Sequence, residues 1–208
     1  MRIAAVIPMK VADRCKQRLA GVLAPGIRRK LVEVMLERVV RAVTGVPAIT
    51  DLCIVTNDES FVPQGARRIA DPGEGLNVAL ALTAAQLGGL VDTMLILPGD
   101  LPFITTADVA ELVQLAHPQR MVAVADVQGL GTNALLLSPA TLIAPRFGPD
   151  SLRAHFRVAW QAGAEASAHA CANIAHDIDE PRDVAWLLEH SIDSSFDFLR
   201  TAPAALVG

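Results

Sequence analysis

The feature that most limits what this chain can fold into is a series of short, mainly apolar stretches separated by segments of helical spacing. Residues 3–7 form a continuous apolar run, and the stretch DLCIVT at 51–56 and residues 93–97, 121–125 and 133–137 read as further strands. A run without polar alternation fits a strand buried on both faces. Between them, residues 27–43 place Leu31, Val34, Met35, Val39 and Ala42 on one side of a helix. Residues 75–87 read as an Ala/Leu-rich helix stopped by Gly88-Gly89. Residues 106–116, 151–162 and 183–189 also read as helical, and 68–70 and 164–168 as short strands. This alternation predicts an α/β domain with a mostly parallel sheet and helices on both faces. With 208 residues the chain has room for about one domain. We place it at residues 1–190, with a weakly patterned tail at 191–208, expected to be mobile or docked on a partner subunit.

Composition narrows the function classes. Hydrophobic residues make up 52% and the net charge is -4. The first excludes whole-chain disorder and the second argues against a general binder of nucleic acid or anionic membranes. No stretch approaches the ~20 apolar residues of a membrane helix. The N-terminus reads as a first strand rather than a signal peptide. Cys15, Cys53 and Cys171 show no metal-like spacing and no disulfide framework, so a cytoplasmic location is expected. The composition and the tail also permit a homodimer.

In open α/β sheets ligands bind beyond the carboxyl ends of the strands, so the segments after each predicted strand carry the candidates. The first strand is followed by Lys10, Lys16 and Arg18, cations that suit a polyphosphate or simply a solvated loop. The fourth ends in Leu97-Pro98-Gly99-Asp100-Leu101-Pro102, a carboxylate in a stiff turn, suited to a hard cation or to capping. In Asp177-Ile178-Asp179-Glu180-Pro181, an extended backbone would turn both aspartates to one side; Asp179 or Glu180 could equally cap the helix begun by Pro181. Gly73-Glu74-Gly75-Leu76-Asn77 opens a helix and could approach a base or phosphate. Gly129 to Asn133 and Phe147 to Ser151 could each grip a small anion or be only turns. His155, one turn into the helix begun at Ser151, could face a ligand there. No Ser-His-Asp arrangement and no cysteine nucleophile stands out.

In this order, P-x-K with K-x-R-L, G-x-G-L-N, L-P-x-D-L-P, G-T-N-A-L-L, F-G-x-x-S-x-x-x-H and D-I-D-x-P-x-D resemble the CofC/FbiD family of guanylyltransferases of deazaflavin coenzyme biosynthesis. The resemblance runs from Ile3 to Leu188. It implies a three-layer, Rossmann-like nucleotidyltransferase fold of the MobA-like kind. It also implies transfer of GMP from GTP to the phosphate of a three-carbon acid, with release of pyrophosphate. Family acceptors are 2-phospho-L-lactate, phosphoenolpyruvate or 3-phospho-D-glycerate. By the same resemblance Asp100, Asp177 and Asp179 hold Mg²⁺. Thr132, Gly148 and Ser151 hold the acceptor, Lys10, Lys16 and Arg18 serve the triphosphate, and Gly75 and Asn77 lie on the guanosine side. Gln17 and Gly99 depart from the family's usual residues without removing a charge. The G-T-N form of the fifth motif and the Ala- and Arg-rich composition tilt the expected acceptor towards 3-phospho-D-glycerate. Two rivals remain: a glycosyltransferase using Asp177-Ile178-Asp179 as its metal motif, and a non-catalytic nucleotide-binding module.

Overall fold

The computed structural model describes residues 1–9, 16–191 and 193–200. Lys10 and Cys15 lie outside the described residues. The strands are β1 (Ile3–Pro8), β2 (Ile49–Val55), β3 (Arg67–Ile69), β4 (Thr93–Ile96), β5 (Arg120–Ala125), β6 (Thr132–Ser138) and β7 (Glu165–Ala168). They form one sheet in the order β3-β2-β1-β4-β6-β5-β7. The pairings β1 with β2, β1 with β4, β2 with β3 and β5 with β7 are parallel, whereas β6 runs antiparallel to both β4 and β5.

Every residue of β4 is buried, and so is every residue of β6. That fits the apolar residues 94–96 and 134–137 at their centres. Successive side chains point to opposite faces. Ile3, Ala5 and Ile7 therefore join one core, and Ala4 and Val6 the other. The first core is covered by α1 (Pro25–Thr44), α3 (Thr106–Gln114) and α6 (Pro181–His190), and the second by α2 (Leu76–Leu87) and α4 (Ser151–Gln161). Helices on both faces make this a three-layer α/β fold. A short α5 (Ala172–Ala175) precedes the Asp177–Asp179 segment.

Helix boundaries follow local chemistry. Pro25 starts α1 where its missing N–H costs nothing. The Thr105 hydroxyl accepts from the Asp108 amide and the Asp108 carboxylate accepts from the Thr105 amide, closing a capping box on α3. On α1 the buried stripe includes Leu31, Met35, Val39 and Ala42 as expected, but adds Val32, Leu36 and Val43 and leaves Val34 only half-buried. Within the stretch read as a tail, a 3-10 helix, Ser194–Leu199, buries Phe196 and Leu199 in the core of its own chain. Arg38 of α1 pairs with Asp193 and lies over the Phe196 ring. No helix among the described residues is long and apolar enough to cross a membrane.

Candidate active site

The sheet order reverses at β1, whose neighbours are β2 on one side and β4 on the other. Such a switch point is where a doubly wound sheet opens a crevice at its carboxyl edge. A cleft of about 590 Å³ lies there, lined by residues that include Pro8, Asn57, Asp71, Gly75, Asp100 and Asp179. Asp100 reaches it from the turn after β4. The Leu97 amide donates to the Val6 carbonyl, which ties that turn to β1. Gly99 has a packing reason. A Cβ there would lie 2.2 Å from the Met9 sulfur, and Met9 is itself buried.

The segment 177–179 delivers two more carboxylates. Ile178 is fully buried, and the aspartates on either side of it meet Asp100. Glu180 is the N-cap of α6, as expected for one of the two candidates, and shares a capping box with Asp183, whose carboxylate accepts from the backbone amides of Glu180 and Asp179. The Asp179 carboxylate is thereby left for the cluster. His176 stacks on Trp186 of α6 with ring centroids 3.6 Å apart, fixing the entry to this segment.

One carboxylate oxygen each from Asp100, Asp177 and Asp179 lies within 4.8 Å of the others. Lys16 Nζ sits among them, 2.5 Å from Asp100 Oδ2 and 2.8 Å from Asp179 Oδ1. Burial opposes the charge on Lys16, but the two facing carboxylates outweigh it and hold the ammonium above its ordinary range. Burial pushes the Asp177 carboxyl up to about 6, with Asp100 and Asp179 adding to the effect and Lys16 and Asn133 opposing it. Asp100 Oδ1 is buried and has no hydrogen-bond partner among the described residues. An all-oxygen set with a buried, unsatisfied anionic oxygen fits a hard divalent cation such as Mg²⁺.

A group of buried polar side chains adjoins the cluster through β6. Asn133 Nδ2 donates to the Ile174 and Ala175 carbonyls at 3.1 and 3.0 Å and lies 3.4 Å from Asp177 Oδ1. Thr132, one residue earlier, meets α4 instead: the Ser151 hydroxyl donates to Thr132 Oγ1 at 3.1 Å. Both hydroxyl groups are buried, as is His155. Gly148 turns the chain into α4 with φ of 130°, a conformation that side chains rarely adopt. The Ser151 amide donates to the Gly148 carbonyl and the Leu152 amide to the Leu130 carbonyl, so these two amides of the helix start are already engaged.

The other expected residues separate. Arg18 is exposed and lies 3.7 Å from Glu180. Gly75 lines the cleft at the start of α2. The Asn77 amide is spent on the Phe147 backbone, donating to its carbonyl at 2.9 Å and accepting from its N–H at 2.7 Å. Asn77 thus ties α2 to the turn that carries Gly148. Sequence reasoning missed Asn57 and Asp71. They follow β2 and β3, so the same carboxyl-end rule would have found them. Asn133 belonged to a candidate segment, but its contact with Asp177 was not foreseen, because its partners are more than forty positions away.

This sheet order, with carboxylates and a cation at its switch point, defines a nucleotidyltransferase-type fold. Solved structures agree. A nucleotidyl transferase from Methanothermobacter thermautotroptrophicus matches with a TM-score of 0.65 at 18% identity, covering 96% of this chain and 98% of that one. A chain assigned to the nucleotide-diphospho-sugar transferases, from Desulfovibrio desulfuricans, matches with a TM-score of 0.77 at 16% identity, covering 96% and 94%. The chain itself belongs to the CofC-like guanylyl transferase family, whose model matches residues 3–203. It is 36% identical over 197 residues to a phosphoenolpyruvate guanylyltransferase of Sphaerobacter thermophilus, covering 92% of this chain and 95% of the relative. It is 35% identical over 203 residues to a Nocardia farcinica relative of the same name, covering 92% and 87%.

Proposed function

We propose that the chain transfers GMP from GTP to the phosphate of phosphoenolpyruvate, releasing pyrophosphate. The observation that carries this reading is the convergence of Asp100, Asp177 and Asp179, of which Asp100 and Asp179 line the cleft. The hydrogen-bonded pair Thr132–Ser151 lies beside it, with Thr132 one residue along β6 from Asn133. The relatives' shared name favours phosphoenolpyruvate over the 3-phospho-D-glycerate to which the motif and composition tilt.

The acceptor phosphate carries close to two negative charges near neutral pH. Its oxygen attacks without a general base, which agrees with a site built from carboxylates, a cation and hydroxyl groups. We assign Asp100, Asp177 and Asp179 to hold Mg²⁺; such an ion, when bound, draws charge from phosphoryl oxygens. Lys16 stays protonated beside them and offsets anionic charge in the cleft. Lys10 and Arg18 are assigned to the triphosphate by family resemblance. Thr132, Gly148 and Ser151 hold the acid, and Gly75 lies on the nucleotide side. Asn77 acts there through Phe147.

The test is pyrophosphate release with GTP and Mg²⁺, run in parallel with phosphoenolpyruvate, 2-phospho-L-lactate and 3-phospho-D-glycerate. Release with phosphoenolpyruvate at the highest kcat/KM is expected. Preference for another of the three corrects the acceptor, and release with none of them contradicts the reading.

A further inference from the structure

We infer that His155 is a positioning residue of the acceptor pocket: its Nδ1–H donates to Thr132 Oγ1 and leaves the Thr132 hydroxyl able only to donate to the bound acid. This rests on the reading of Thr132 and Ser151 as acceptor-holding residues.

The Arg146 N–H donates to His155 Nε2 at 2.8 Å. An amide can only donate, so Nε2 carries the lone pair and a neutral ring keeps its proton on Nδ1. Nδ1 lies 3.1 Å from Thr132 Oγ1 and therefore donates to it. The Ser151 hydroxyl donates to the same oxygen at 3.1 Å. A hydroxyl has two lone pairs and one proton. With both lone pairs taken, Thr132 has only its proton to offer.

Burial keeps this wiring in place. Thr132, Ser151 and His155 are 6%, 2% and 0% exposed, so water does not compete for these bonds. Burial first, and the Arg146 charge second, hold the imidazole down at about 4, which keeps it neutral near pH 7. The Phe147 ring packs edge-on against the imidazole at 5.0 Å and fixes its plane. The consequence is chemical selectivity. A donor-only hydroxyl suits a carboxylate or phosphate oxygen, which can only accept. A ligand group that itself must donate finds no lone pair.

The first test uses the unmodified protein. Nitrogen-15 NMR of labelled histidine at pH 7 is expected to show His155 as the neutral Nδ1–H tautomer. An Nε2–H tautomer or an imidazolium would overturn the inference. The second test separates positioning from support of the Arg146 turn. His155→Asn keeps a donor near the Nδ1 place, whereas His155→Gln keeps an acceptor near the Nε2 place. With GTP saturating, His155→Gln is expected to raise the phosphoenolpyruvate KM by about tenfold or more, the usual worth of a lost bond acting on a charged group. His155→Asn should stay within about threefold of the parent, and the GTP KM should hold in both. The reverse ranking, or a joint rise in both KM values, overturns the inference. Thr132→Val identifies which claim failed. If it leaves the phosphoenolpyruvate KM unchanged, the acceptor-site reading falls. If it raises that KM while His155→Gln does not, only the positioning role falls.

Discussion

At the scale of single residues, His155 and Asp177 both titrate away from their ordinary ranges, and they act on stability in opposite directions. His155 is held neutral, at about 4, against about 6.5 in the unfolded chain. Between these values the unfolded chain binds more protons, so stability is lost as the pH falls from 6.5 to 4. Asp177 is raised to about 6, so the folded state binds more protons between about 4 and 6. Its contribution therefore grows as the pH falls through that window. The His155 part is best read as a difference. Relative to His155→Asn, the parent should lose about 3 kcal/mol of unfolding free energy between pH 7 and pH 4, without added metal. Parallel urea-unfolding profiles for the two proteins would show that His155 is not held neutral. Among the residues, Asp100, Asp177 and Asp179 were legible because each sits in a local pattern that fixes its direction. These patterns are a turn after a buried strand and an alternation around Ile178. The lone-pair arrangement at Thr132 was not legible, because it depends on β6, α4 and the Arg146 amide meeting in space.

At the scale of elements, strands and helices followed from periodicity, but direction did not. β4 and β6 are both fully buried, and burial on both faces does not distinguish a parallel from an antiparallel neighbour. The reversal of β6 matters for function. It brings the start of β6, with Thr132 and Asn133, to the edge where β1 and β4 end. The C-terminal 3-10 helix was illegible for a different reason: its two apolar anchors, Phe196 and Leu199, are too few to give a periodic signal. Phe196 is 1% exposed and lies against α1. Phe196→Ala should lower the unfolding free energy by about 3 kcal/mol or more, read from the urea midpoint. An unmoved midpoint would mean that this segment is only a loosely attached tail. Asp193 reinforces the attachment: the Ser195 amide and Arg38 hold its carboxyl down at about 2. That contribution is present above pH 4 and fades as the pH falls towards 2.

At the scale of the whole molecule, the site divides along the sheet. Asn57, Asp71 and Gly75 line the cleft on the side of β2 and β3. Thr132, Ser151 and His155 gather on the side of β6 and α4. Asp100 stands at the seam, after the strand that joins the two halves. Under the proposed function this arrangement would place a nucleotide and an acid on opposite sides of one cluster of carboxylates, which is what joining them requires. The Asn77–Phe147 link spans the same two sides and holds them at a fixed spacing. The central claim is that GMP transfer takes place at this cluster. Its most direct test is phosphorus-31 NMR of GTP, phosphoenolpyruvate and Mg²⁺ with the parent protein and with Asp100→Asn. The account predicts a phosphodiester signal rising with pyrophosphate in the parent, and a rate at least about a hundredfold lower in a variant that melts like the parent. A folded Asp100→Asn protein that forms the diester at the parental rate would contradict it.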